Sequence, residues 1–335
     1  MRVLEKLEEV VKGLTFKISE FEVGYDYWNR TGCTVEMFGR RFGGIEEDAL
    51  QEIKKADSAI YVAVHASRFP QKELDHPIPL IRRYLGLYAN VVSAESYKGI
   101  SRTPGMDLLR VRELTEGMYH PPEFALLGKY VCSLAVVSEQ TSRRVARFSF
   151  NLAKTRDKKK VTVVEKKGSI PEFFSLFLNA VKGESEKYPE IQLDTINMVN
   201  LPHDLITQPS KFDVILTPNL YGSIIAGEMA ALMGGLGLLP SGSYGEEVAI
   251  FRPQHGSAPD IAGRGIANPI ATINASRMML DYLAAKTGNS RCKEAAVRIK
   301  RAVKKTLEEQ RLYTPDLGGN ATTRDVIESI LRNIG

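Results

Sequence analysis

The chain has 335 residues, 43% hydrophobic and 25% charged, with 27 glycines and 16 prolines. That length suits about two domains with real cores, and the composition excludes collagen-like, coiled-coil and wholly disordered chains. The 45 Lys and Arg against 40 Asp and Glu leave +5, too mild to indicate a nucleic-acid binder but suited to anionic metabolites.

Val3, Leu4, Leu7, Val10 and Val11 recur at helical spacing and Gly13 follows as a C-terminal cap, so the chain opens on a helix. Next, LTFKISEFEV at 14–23 reads as a strand, IEEDALQEIKKA at 45–56 as an amphipathic helix and AIYVAV at 59–64 as a buried strand. Further strand candidates lie at 108–111, 161–164 and 213–217, with helical patterns such as SRRVARFSFNLAKT at 142–155 between them. Helix and strand alternate, which predicts an α/β fold with helices on the faces of a layered sheet. The run Lys158, Lys159, Lys160 reads as the solvated end of a helix before a strand. Cys33, Cys132 and Cys292 lie far apart and form no CxxC pair, which argues against a disulfide framework or zinc site. No stretch has the uncharged apolar length of a membrane span, and a soluble cytoplasmic protein is expected, with no nucleic-acid or membrane partner.

The densest Gly/Pro region is HGSAPDIAGRGIANP at 255–269, preceded by MGGLGLLPSGS at 233–243. Such backbone lets main-chain N–H groups approach phosphates, although it fits neither GxGxxG nor a P-loop. As a whole string it closely resembles the adenosine-binding loop of the isocitrate and isopropylmalate dehydrogenase family, the metal-dependent β-decarboxylating dehydrogenases. The resemblance extends to RRYLGLYAN at 82–90, PGMDLLRVRELTEGMY at 104–119, VTVVEKK at 161–167, PSKFDVILTPNLYG at 209–222 and TPDLGGNATTRDV at 314–326.

The resemblance implies an isopropylmalate-dehydrogenase-like fold of two α/β domains around a cleft, not a Rossmann fold. Residues 1–88 plus 234–335 would form the nucleotide-side domain and 89–233 the substrate and dimerisation domain. It implies NAD as cofactor, bound by His255, Gly256, Ser257, Ala258, Asp260, Ile261 and Asn268, with Asp260 placed to accept ribose hydroxyls and repel a 2′-phosphate. Tyr119 and Lys166 match the catalytic positions, and Arg82 and Arg112 match two substrate arginines. By residue type alone, Arg112 could equally pair with Glu113 or Glu116. The third arginine position holds Val92, which can donate no hydrogen bond.

Family chemistry also uses Mg²⁺ or Mn²⁺ held by three aspartates. Those positions hold Val199, Ser223 and Gly227, so no metal ligands are assigned. The strand and GDGIGPE-type loop that precede the first helix in the family are not found ahead of Met1, and VHASRFP at 64–70 departs from the family's nicotinamide-side loop. The expected protein binds NAD or another adenine nucleotide and a malate-type acid, with catalysis impaired by the lost aspartates. It would act as a homodimer, or as a regulatory subunit in a heteromer with a catalytic paralogue. The segment 120–136 would supply an intersubunit arm. The alternative is active NAD- and Mg²⁺- or Mn²⁺-dependent oxidative decarboxylation of isocitrate, 3-isopropylmalate or homoisocitrate.

Overall fold

The structure, a computed structural model, describes residues 1–62, 64–70, 74–119 and 123–335. The chain begins with α1 (Arg2–Val10), α2 (Tyr25–Thr31), the hairpin β1 (Thr34–Met37) and β2 (Arg40–Gly43), α3 (Glu47–Lys55), β3 (Ala59–Ile60) and α4 (Pro77–Tyr84). Its middle carries β4 (Ala89–Glu95), β5 (Asp107–Glu113), β6 (Glu123–Leu126), β7 (Tyr130–Ser133), α5 (Glu139–Lys154), β8 (Lys160–Glu165), α6 (Pro171–Ser185), β9 (Gln192–Asn197), α7 (Asn200–Thr207), β10 (Val214–Thr217) and α8 (Asn219–Met233). It closes with β11 (Pro240–Tyr244), β12 (Ala249–Pro253), α9 (Ile270–Thr287), α10 (Ser290–Lys304) and α11 (Thr323–Ile334).

These elements form two compact units, one of 1–87, 97–99 and 235–335, the other of 88–96 and 100–234. In the first, strands run in the order β3-β12-β11, with β12 antiparallel to β11 and parallel to β3. Phe42, Ile45, Leu50, Leu80, Ile81 and Ile250 form a core beside them. The first and last helices, α1 and α11, pack together, and Arg2 pairs with Glu328. A capping box of Thr322 and Asp325 starts α11, which gives part of the TTRDV string a structural reason.

In the second unit the order is β4-β5-β10-β8-β9. β5, β10, β8 and β9 are parallel, whereas β4 is antiparallel to β5. Val161, Val163, Val214, Ile215 and Leu216 are buried, as continuous apolar runs in helix-covered parallel strands must be. Phe150 of α5 and Phe174 and Phe177 of α6 fill the layer outside. The C-terminal ends of β5, β10 and β8 align, and this is the edge where open α/β sheets bind ligands.

Four local expectations change. The first helix ends at Val10 with extended Val11 as its C-cap, so Gly13 is not the cap. Residues 14–23 form no strand: Leu14 is buried, but Ile18 and Phe21 are exposed and no ladder partner runs beside them. β3 is only two residues long. Its pairing continues as far as Tyr61 N–H donating to Phe251 O at 2.9 Å, while Val62 is exposed and Ala63 lies outside the described residues. The lysine run is the turn into β8 rather than the end of α5, which stops at Lys154. Lys158 Nζ donates to Phe212 O at 2.8 Å and Lys160 pairs with Asp194 at 2.6 Å.

Asp213, just before β10, is wholly buried and accepts from Arg156 Nε and, at 3.2 Å, from Lys160 N–H. Arg156 also donates to Asp107 O at 2.8 Å, so this ion pair ties β5, β8 and β10 together at one end. Asp213→Ala leaves Arg156 paired with Asp107 alone, at 2.9 Å, and takes the acceptor from Lys160 N–H; it is expected to cost about 1–3 kcal/mol, read as a lower urea midpoint with an unchanged slope.

Candidate functional site

At the other end of the parallel strands, β5 delivers Arg112 and then Tyr119. Alternation along the strand turns Arg112 toward α8. Its Nε and Nη2 donate to Asn219 Oδ1 at 2.8 and 2.5 Å, and its Nη1 donates to Ser223 Oγ at 2.5 Å. Asn219 is fixed in turn by donating to Glu116 O at 2.6 Å. The Tyr119 ring lies over the guanidinium, 4.8 Å from ring centre to Cζ, a cation–π contact.

Neither expected carboxylate takes Arg112. Glu113 accepts from Thr115 N and Oγ1 and from Glu116 N, while Glu116 accepts from Ser138 N and Thr141 Oγ1. These carboxylates shape the turn after β5 and the start of α5. The guanidinium instead depends on neutral oxygens of a helix more than a hundred residues away.

Lys166 follows β8 directly, and its carbonyl accepts from Ser169 and Ile170 N–H. β10 lies between β8 and β5, so Lys166 stands two strand spacings, about 10 Å, from the strand of Arg112. Val199, the N-cap of α7, is exposed beyond the same edge, and its N–H donates to Asn197 Oδ1 at 3.0 Å.

The three positions where the resemblance places metal aspartates do not fit a divalent cation. Val199 has no side-chain oxygen and Gly227 no side chain. Ser223 Oγ already accepts from a guanidinium, whose charge repels a metal ion. No group of three or more His, Cys, Asp or Glu among the described residues is arranged to hold a metal.

The first unit holds the glycine-rich loop. Ala258 sits at φ 44° before a short turn at Pro259–Ile261, and Ser257, Asp260 and Gly256 are exposed. His255 Nδ1 lies 2.9 Å from Gly256 O. Residues outside the motif hold the loop in place. Arg252 Nη2 donates to His255 O at 3.1 Å, Thr323 N–H donates to Gly265 O at 2.8 Å, and Thr323 Oγ1 donates to Ala267 O at 2.5 Å. Asn268 is anchored by donating to Asp316 Oδ2 at 3.1 Å, while its Oδ1 accepts from Ile270 N–H at the start of α9. Its place requires Gly237, where an added Cβ would come within 2.9 Å of Asn268 Cβ. Asn268 thus serves the loop's framework, and sequence reasoning missed Arg252, which acts on neighbouring backbone carbonyls that no residue pattern records, and Asp316, whose partner is 48 residues away.

Arg82 belongs to this unit, in the last turn of α4. Burial lowers its pKa from the ordinary value, and the like charge of Arg252 acts in the same direction. Arg252 itself donates to the Tyr61 hydroxyl at 2.9 Å.

No helix among the described residues is long and apolar enough to cross a membrane. The isocitrate/isopropylmalate dehydrogenase family model matches residues 1–330. The chain is 38% identical over 330 residues to an isocitrate/homoisocitrate dehydrogenase of Thermus thermophilus, covering 98% of this chain and 92% of that protein. It is 36% identical over 272 residues to the rat mitochondrial NAD isocitrate dehydrogenase subunit gamma 1, covering 78% and 67%. The crystal structure of isocitrate dehydrogenase from Methylococcus capsulatus superposes with a TM-score of 0.85 at 30% identity, covering 99% of this chain and 95% of that one. With matching architecture, an ordered glycine-rich loop and a match along nearly its whole length, the chain belongs to the isocitrate/isopropylmalate dehydrogenase family.

Proposed function

We propose that the protein binds NAD, or another adenine nucleotide, at the 255–269 loop and a malate-type hydroxy acid beside Arg112, with oxidative decarboxylation impaired. In this reading 1–88 plus 234–335 serve the nucleotide and 89–233 serve the acid and dimerisation. The carrying observation is the bond from Arg112 Nη1 to Ser223 Oγ at 2.5 Å, which places a cation where the family's chemistry calls for a metal carboxylate. Tyr119 and Lys166 are the groups to donate and accept protons, and Arg82 and Arg112 are the groups to hold carboxylates. Positioned acids and bases typically contribute about 10²- to 10⁴-fold, but they do not chelate a hydroxyl. The similarity to an isocitrate dehydrogenase subunit gamma favours, as a second reading, a subunit that works beside a catalytic paralogue.

Purified protein given isocitrate, 3-isopropylmalate or homoisocitrate with NAD and Mn²⁺ is expected to turn over far more slowly than about one per second, the lower end of ordinary enzyme rates. Metal-dependent NAD reduction at ordinary rates overturns the impaired reading in favour of an active dehydrogenase.

Asp260 is exposed at the loop, where an NADP phosphate would meet like charge. Calorimetry is expected to show tighter binding of NAD than of NADP, with Asp260→Ala narrowing the difference. Equal or tighter NADP binding rejects the assignment.

A homodimer is supported by the hairpin of β6 and β7, which exposes Phe124, Leu126, Leu127, Tyr130 and Val131, an apolar patch of the kind that marks an interface. The first residues of the expected arm, 120–122, lie outside the described residues. Light scattering at micromolar concentration is expected to give a dimer, and Val131→Glu to shift it toward monomer. A monomeric unaltered protein rejects the interface.

A further inference from the structure

The most unusual charge in the second unit belongs to no position that the family resemblance assigns. Arg110, in the middle of β5, is wholly buried. Its Nη1 donates to Asn90 Oδ1 at 3.1 Å and to Asn90 O at 3.3 Å. Its Nε and Nη2 have no acceptor among the described protein atoms. Those two nitrogens form one edge of the guanidinium, the side-on edge that grips a carboxylate through two parallel N–H···O bonds. Asn90 therefore holds one corner of the group and sets its orientation, while the bidentate edge is unused.

Register places Arg110 beside Arg112 of the candidate acid site. Arg110 pairs with Val92 across the β4–β5 ladder, and Arg112 pairs with Asn90. Directly opposed residues, and residues two apart on one strand, share a sheet face. Asn90, Val92, Arg110 and Arg112 thus form a square on one face. Val92 contributes no polar atom, and the side chain of Glu113 alternates to the other face and is engaged by Thr115 and Glu116. Burial lowers the Arg110 pKa well below the ordinary value, and the like charge of Arg112 acts in the same direction; even so, a guanidinium remains charged in a protein. The N-terminus of α8, which has no side-chain cap, adds partial positive charge near Arg112.

A buried cation beside a second cation, with a whole donor edge unmet, is costly without an anion. We propose that Arg110 is a ligand-binding residue of the acid site and that its Nε–H and Nη2–H edge grips a carboxylate of the bound hydroxy acid, next to Arg112. This rests on the reading that the second unit binds such an acid. Because the edge has no exposed surface, the carboxylate reaches it when the packing over it parts, and entry is coupled to that local opening.

The register pair supplies the test. Arg110→Val is compared with the exchanged protein Arg110→Val/Val92→Arg, which returns the cation to the same face from the neighbouring strand. Isocitrate and NAD binding are measured separately by calorimetry, with urea unfolding in parallel. Replacing an unmatched buried cation with an apolar side chain is expected to leave Arg110→Val folded, with an equal or higher urea midpoint. Its isocitrate affinity is expected to fall at least tenfold, NAD affinity to stay within twofold, and the exchange to restore most of the lost isocitrate affinity. Unchanged isocitrate affinity in Arg110→Val overturns the proposal. So does a fall in isocitrate and NAD affinity alike that the exchange leaves uncorrected, since that is the signature of a structural role. If Arg110→Val does not fold, Arg110→Lys keeps the charge and removes the two-donor edge. A tenfold loss of isocitrate affinity there supports the proposal, and no loss overturns it. If isocitrate does not bind the unaltered protein, 3-isopropylmalate and homoisocitrate replace it in turn; a protein that binds NAD but none of the three acids overturns this proposal while leaving the nucleotide reading in place, and one that binds neither NAD nor any of them overturns both.

Discussion

A guanidinium buried between a sheet and a helix must find acceptors, and Arg112 finds them on the first turns of α8. Much of the second unit follows from that requirement. Asn219 must lead the helix and be held by Glu116 O. Gly222 must lack a side chain, because an added Cβ would meet Arg112 Cβ at 2.7 Å and Thr217 Oγ1 at 2.6 Å. Helix and strand approach this closely because glycine leaves room for the aliphatic part of the arginine. The nearby carboxylates are spent on the turn after β5, so the charge at this edge is positive in character. That character opposes a divalent cation and attracts carboxylates.

The glycine-rich loop solves a different problem. Exposed backbone with few side chains of its own cannot hold a shape unaided, and its order comes from behind: Arg252 on two carbonyls, Thr323 on two more, and Asp316 on Asn268. These anchors come from β12 and from the TPDLGGNATTRDV string near the chain's C-terminal end. Strings that look like separate motifs along the sequence are therefore parts of one support.

Buried strands were the most legible elements. Runs such as VTVV and DVILT are mostly apolar because helices cover both faces, and they lie in β8 and at β10. The apolar residues at 14–23 follow no ladder, since a strand exists only where a partner offers matching hydrogen bonds, and that is a property of tertiary structure. Position 112 was recognisable from its motif, but its partners were not. Glu113 and Glu116 are near in sequence and turn away, while Asn219 and Ser223 are remote and converge on it.

Arg110 marks the boundary most clearly. In the sequence it is one more arginine in a strand, and nothing local distinguishes it from an exposed charge. By itself the sequence determined the family, the alternation of helix and strand, the glycine-rich loop and the absence of carboxylates at 199, 223 and 227, because these reside in residue identity and order. Only the tertiary structure decided that Arg110 is buried, that Val92 is its register partner and that Ser223 is committed to Arg112. Burial and hydrogen-bond partnership depend on which strands and helices come together, and that information is distributed over the whole chain rather than written at any one position.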